Sequence, residues 1–478
     1  MVYLTKCLQD YSRSDFYPFH MPGHKRKSLA LQSPYEIDIT EIDSFDNLHH
    51  ATGILKEAQQ RGADLYGSKR CFFLVNGSTC GLLSAISAVT KRGDKVLVAR
   101  NCHKAVYNAL YLNELQAVYT YPSMTQNGLQ GQISALQIEQ ALHENPDIVA
   151  VIITSPTYEG IVSDVEGIAK ICHSHKIPLI VDAAHGAHFG FGSDFPENAV
   201  RLGADIVVMS LHKTLPSFTQ TALLHINSNM IDEKRVEQFL GIYETSSPSY
   251  VLMAGMDECI RLVADNGQTL FSNYRERLNA FYDSIKDLAS LHVMNKNDLN
   301  DKEAFDWDDS KIVIFTQDAG MTGEELHQLL LEKYHLQMEM VSGYHVLGMT
   351  SLMDDIEGFK RLSDALHEID SKIMTKTDFR KNDVVRITLL DTLYQKNPIG
   401  MQIYQASDLQ YKEISIDKAI GNMSADTIYL YPPGIPMIIP GEIITKRLAD
   451  GIKECISLGL NVEGLADIQN EVIKIVDF

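Results

Sequence analysis

No apolar run in this 478-residue sequence approaches the roughly 20 residues that a membrane-spanning helix needs. The strongest, Ile148 to Thr154, reads instead as a short buried strand. The opening Met1-Val2-Tyr3-Leu4-Thr5-Lys6-Cys7 lacks the basic-then-apolar order of a secretory signal. Seven cysteines, an odd number with no CxxC pair, read as reduced thiols, and the expected compartment is the cytoplasm. There is no HExxH, GxSxG, Walker or GxGxxG pattern, so zinc peptidases, serine hydrolases, ATP and nicotinamide dinucleotides lose ground. His173, His175, His185 and His188 hint at a metal, but no paired ligand spacing supports one and none is expected.

Positive charge is also in short supply. With 62 acidic against 42 basic residues the net charge is −20, which repels phosphates and anionic lipid. Neither nucleic acid nor a membrane surface is an expected partner, whereas a cationic small molecule is attracted.

What is present is an ordinary globular balance, 45% hydrophobic and 22% charged, on a chain long enough for two or three domains. Residues 1–50 are interrupted by Pro18, Pro22, Gly23 and Pro34 and read as an N-terminal arm. Over residues 51–305 the apolar runs Cys71 to Val75, Lys95 to Ala99, Ile148 to Thr154, Pro178 to Asp182 and Asp205 to Met209 alternate with helical patterns. Short strands without a polar face predict an α/β large domain, its mostly parallel sheet covered on both sides. The polar stretch Asn295 to Ser310 reads as a boundary, and residues 306–478 as a smaller α+β C-terminal domain.

Several polar groups then fall at the carboxyl ends of predicted strands, the edge that forms the ligand crevice in open α/β sheets. Asn76-Gly77-Ser78-Thr79, between a strand and a helix, offers backbone N–H groups and hydroxyls to a phosphate, although a plain helix cap has the same look. Asp182 ends one strand and Ser210-Leu211-His212-Lys213 follows the next, so Asp182 and Lys213 face one crevice across a strand-helix-strand unit. A desolvated lysine amine there can form an imine with pyridoxal 5'-phosphate, and an aspartate can keep the pyridine nitrogen protonated. Ser210 and His212 can bond the phosphate and His103 can stack on the ring. A lysine taken alone is more often a surface residue; only the combination favours the cofactor.

The motifs Phe19-His20-Met21-Pro22-Gly23-His24-Lys25, Asp38-Ile39-Thr40-Glu41, Leu74 to Thr79, Asn101-Cys102-His103-Lys104 and Ser155-Pro156-Thr157-Tyr158 stand in order. They are followed by Asp182 to His188, Ser210 to Thr214, Tyr431 to Pro436 and Pro440-Gly441-Glu442. In this the sequence resembles the Orn/Lys/Arg decarboxylases, fold type I pyridoxal-phosphate enzymes of aspartate-aminotransferase-like architecture. The resemblance implies decarboxylation of a basic amino acid, with Lys213 as the Schiff-base lysine and Asp182 beside the pyridine nitrogen. It further implies Gly77, Ser78, Thr79, Ser210 and His212 around the phosphate, His103 stacked on the ring, and Ala184 and His185 against it. Glu442 would meet the distal cation of the substrate, and Lys213 or His212 would return the proton to the α-carbon. A homodimer with its active site near the subunit interface is implied through Thr245 to Tyr250. The start close to the Phe19 motif suggests a short form without the N-terminal wing of long relatives. At position 185 some of those carry Trp, whereas the His here resembles the shorter arginine-decarboxylase-like branch. Transamination, aldol cleavage and a catalytically silent paralogue remain alternatives, and arginine, lysine and ornithine are undivided. Arg386 is a candidate for a carboxylate or for a structural ion pair.

Overall fold

A computed structural model of the chain describes residues 3–29, 31, 33–192, 194–373, 393–430, 434–457 and 460–478. Arg386 and residues 431–433 lie outside the described residues.

Seven strands make the main sheet: β1 (Arg70–Leu74), β2 (Lys95–Ala99), β3 (Gln116–Thr120), β4 (Ile148–Thr154), β5 (Leu179–Asp182), β6 (Ile206–Ser210) and β7 (Ala222–Ile226). They lie in the order β1-β7-β6-β5-β4-β2-β3. All neighbours are parallel except at β7, which runs antiparallel to β1 and β6. The carboxyl ends of the other six therefore share one edge. The run Ile206-Val207-Val208-Met209 shows why this strand forms here: apolar side chains, three of them β-branched, fill both faces, and every one is buried. The expected α/β architecture with a mostly parallel sheet is what the chain adopts.

Helix α1 (Gly77–Val89) crosses the sheet after β1, and α2 (Lys104–Leu112) follows β2 with His103 as its N-cap. Helix α3 (Tyr250–Ser284) is 35 residues long. No helix among the described residues is long and apolar enough to cross a membrane.

The region from 306 onward holds two units. An antiparallel sheet including Lys311–Phe315 and His345–Met349 joins the main core through Ile312, Ile314 and Val346. The last unit has a core of its own, built from Leu393, Ile428, Leu448, Ile452 and Ile475. The stretch 295–310 is not an exposed linker. Its Asp306–Trp307 strand pairs with Ile161–Val162, and Trp307 and Asp308 are buried. The arm is partly regular too, because Tyr17–Phe19 pairs in parallel with Leu336–Met338.

Candidate active site

Five loops at the shared sheet edge converge: 75–79 after β1, 100–103 after β2, 155–158 after β4, 182–188 after β5 and 210–213 after β6. Lys213 stands on a single helical turn, Leu211–Thr214, that begins as β6 ends. Its Nζ lies 2.9 Å from His185 Nε2 and 5.9 Å from the centre of the Tyr158 ring. The amine is reached along the crevice but is otherwise enclosed. Desolvation lowers its pKa to about 8, against the upward pull of Asp182 and Glu339, with Lys311 adding to the fall. A larger share of it is nucleophilic free amine at neutral pH than in a surface lysine.

The histidines around it are neutral. Burial, then the charge of Lys213, holds His185 well below the usual imidazole range. Burial lowers His212 to about 4. The Nδ1–H of His212 donates to the Thr221 carbonyl at 2.9 Å, so its Nε2 is left as an acceptor. His103 is exposed to the crevice and lowered likewise, by desolvation and then by Lys213 and Lys104. Its Nδ1 accepts from the Ala105 N–H at 3.2 Å, which puts its proton on Nε2.

Asp182 is buried at the tip of β5, with Oδ1 accepting from the Ala184 N–H at 3.1 Å. Burial raises its pKa, while Lys213 and that N–H oppose the rise. Ser78 and Ser210 meet through their hydroxyls at 2.5 Å, which joins the first turn of α1 to the end of β6. Thr79 is exposed on the same turn, and Ala184 is buried beside Asp182. Gly77 has a φ of +74°, a conformation in which a side chain would be strained. Glu244 braces this loop from behind, its Oε1 accepting from Val75 N at 2.8 Å and Asn76 N at 3.2 Å.

These groups fit pyridoxal phosphate. Ser78, Ser210 and the amino terminus of α1 suit its phosphate, Asp182 its pyridine nitrogen, and Lys213 its carbonyl carbon. His103 is open to cover one ring face and Ala184 to support the other. One further atom supports the fit: His185 Nδ1 is buried without a hydrogen-bond partner. Its Nε2 accepts from Lys213, so Nδ1 carries a hydrogen that an oxygen of the cofactor would satisfy.

The arm closes the site from below. Gly23 N–H donates to the His212 carbonyl at 2.7 Å, and Ser351 Oγ donates to the Gly23 carbonyl at 2.6 Å. A Cβ on Gly23 would come within 2.7 Å of Leu215 O, so only glycine lets the arm lie flat against the lysine loop. Lys25 anchors the same arm, its Nζ donating to the carbonyls of Pro18, His20 and Met349.

At Glu442 the structure departs from the sequence-based expectation. The carboxylate is 1% exposed and is held by Arg100 at 3.2 Å, by Asn397 Nδ2 at 3.2 Å and by the Ile439 N–H at 3.2 Å. The reason is Arg100, which leaves β2 pointing at the last unit and whose charge Glu442 neutralises. An already paired carboxylate is a poor receptor for a second cation. Three of the four histidines have separate partners: His173 pairs with Asp205 and His188 with Asp308, while His185 faces Lys213.

Tyr158, Glu339, Arg100 and Glu244 were assigned no role by the motifs. Tyr158 sits in the quoted Ser155 to Tyr158 segment, but its ring alone does not reveal that it packs 4.4 Å from His185. Glu339 stands between two short strands in a stretch without a motif.

Comparisons with known proteins bear on the family and the fold. The family profile "Orn/Lys/Arg decarboxylase, major domain" matches residues 3–329, and the corresponding C-terminal domain profile matches residues 401–454. An arginine decarboxylase of Bacillus anthracis is 29% identical over 482 residues, covering 99% of this chain and 97% of the relative. The uncharacterised protein YaaO of Bacillus subtilis is 33% identical, covering 99% of this chain and 98% of its own length. Among solved structures, the constitutive lysine decarboxylase of Escherichia coli superposes with a TM-score of 0.79 at 20% identity, covering 99% of this chain and 81% of that one.

Proposed function

The chain belongs to the Orn/Lys/Arg decarboxylase family, fold type I enzymes that use pyridoxal phosphate, and on that premise we propose that it decarboxylates a basic L-amino acid, arginine first, to the corresponding amine. Arginine leads because a relative matched along nearly all of its length bears the name arginine decarboxylase. Lysine and ornithine are the other members of the class. The observation that carries the reading is the enclosed Lys213 amine, 2.9 Å from His185 and within the field of Asp182, on the turn that follows Ser210.

Bound pyridoxal phosphate supplies an electron sink for the pair released when CO2 leaves. The protein's own groups do the rest. Lys213 would attach the cofactor and afterwards hold a proton at Nζ. It is a better acid for the α-carbon than His212, whose Nε2 is an unprotonated acceptor. Asp182 supplies the charge opposite the pyridine nitrogen. His103 and Ala184 would hold the ring between them. Gly77, Ser78, Thr79, Ser210 and His212 would hold the phosphate.

A homodimer completes the reading, with Thr245 to Tyr250 carrying the subunit boundary toward the site, and the place of work is the cytoplasm. The test is direct. Protein loaded with the cofactor is given arginine, lysine and ornithine separately, and CO2 and amine are measured. Release from one of them is expected. No CO2 from any of the three, or a keto acid in its place, would overturn the proposal.

A further inference from the structure

Glu339 is a carboxylate beside the reacting lysine with no cation of its own. It follows the strand Leu336–Met338 and is half-buried. Its Oε1 accepts from the Tyr158 hydroxyl at 2.5 Å and its Oε2 from the Met21 N–H at 2.7 Å. Both donors are neutral. The basic side chains nearby are committed elsewhere: Lys25 to three carbonyls and to Asp354 at 3.9 Å, Lys311 to Asp308 at 3.2 Å. No described lysine, arginine or histidine forms an ion pair with Glu339. A half-buried carboxylate with no ion-pair partner among the described residues is one whose partial desolvation a bound cation would offset.

Its place suits that cation. The Tyr158 ring spans the distance between Glu339, on its hydroxyl, and Lys213, 5.9 Å from its centre. A substrate whose α-carbon is at Lys213 and whose aliphatic chain lies along this ring brings its far end to Glu339. After Asp182, Glu339 is also the acid whose charge most favours protonated Lys213, so its field reaches the reacting position. The competing acids are less suited. Glu442 is neutralised by Arg100. Burial without a cation drives Glu159 toward its neutral form.

We propose that Glu339 receives the distal cation of the substrate, with Tyr158 as the wall along which the aliphatic chain lies. The assignment rests on the basic-amino-acid reading above and names the residue that enforces it.

The experiment compares wild type and Glu339→Gln, both loaded with pyridoxal phosphate, on arginine and on citrulline, in which a neutral ureido group replaces the guanidinium. Gln keeps an acceptor for Tyr158 and Met21 but removes the charge. The ratio of kcat/KM for arginine to that for citrulline should fall about ten- to a hundredfold, the loss expected for a hydrogen bond to a charged group. A merely structural role would lower both substrates alike and leave the ratio unchanged, which would overturn the proposal. The dissociation constant of the amine produced from arginine, measured by calorimetry, should rise by the same factor; an unchanged constant would count against it. If lysine or ornithine proves to be the substrate, norleucine or norvaline replaces citrulline as the neutral partner. Should Glu339→Gln fail to fold, Glu339→Asp, which withdraws the carboxylate by one methylene, is read by the same ratio with the same outcomes. Wild-type protein that releases CO2 from no basic amino acid refutes the proposed function itself, a separate result from an unmoved ratio.

Discussion

Replacing Glu442 by Ala removes one half of a buried pair and leaves the other half in place. Arg100 is 5% exposed and would keep only neutral partners, the Pro436 carbonyl at 2.8 Å and the Tyr107 hydroxyl at 3.1 Å. Three charge-assisted contacts of 3.2–3.3 Å are lost, the Ile439 N–H loses its acceptor, and Asn397 Nδ2 keeps only the Met437 carbonyl. Removing one partner of such a pair costs about 3–5 kcal/mol. A chain of 478 residues, at about 2 cal/mol/K of unfolding entropy per residue, converts this into a Tm lower by about 3–5 °C if it melts as one unit. Calorimetry of the cofactor-loaded protein reads the shift. A double variant, Glu442→Met with Arg100→Met, should recover much of it, because no unpaired charge is then buried. KM for the basic amino acid, measured well below the transition, should hold. An unchanged Tm together with a steep rise in KM would refute the reasoning and return Glu442 to the substrate.

Lys213→Ala should abolish turnover and leave no cofactor that borohydride can fix to the chain; decarboxylation by the purified variant would contradict the assignment. Because enclosure lowers Lys213 to about 8, capture of pyridoxal phosphate by the cofactor-free protein should accelerate about tenfold per pH unit below that value and level off above it. Acceleration that continues to pH 10 would show an ordinary lysine. Ser78→Ala with Ser210→Ala should raise the cofactor's dissociation constant at least about tenfold, the scale of one hydrogen bond to a charged group, checked by fluorescence titration. Asp308→Ala strips the counter-charge from buried Lys311 and the hydrogen-bond partner from His188 and should cost about 3–5 kcal/mol by denaturant titration.

Much of the large domain is legible because its strands are apolar on both faces and its helices carry caps. Lys95 to Ala99 and Ile148 to Thr154 are strands over those spans. Asp164 and Asp232 cap the helices that follow them. What escaped notice lacks such signals. β3 has an exposed Gln116 and half-buried Val118 and Tyr119. β7 carries His225, a polar residue that is buried because Ser68 Oγ meets its Nδ1 at 2.9 Å. The stretch 295–310 is polar in composition, yet its Asp308 and Glu303 are buried by partners far away in sequence, His188 and the Gln126 N–H. Candidate site residues show the same divide. Lys213 and Asp182 are placed by strand ends, which local pattern reveals. The engagement of Glu442 with Arg100 and the approach of Glu339 to Tyr158 depend on long-range packing that no local pattern encodes.

The flat seat of Gly23 on the lysine loop makes the arm a keystone. Leu4–Ser12 buries no side chain of its own, whereas Phe19 is wholly enclosed and Gly23 touches the backbone on either side of Lys213. The beginning of the chain is thus divided within a few residues into a stretch that fastens to little and one that sets the floor under the reactive amine. Trimming or fusion ahead of Tyr11, whose hydroxyl meets His20 at 2.7 Å, should leave the chemistry untouched, while a single added methyl group at residue 23 is enough to lift the floor.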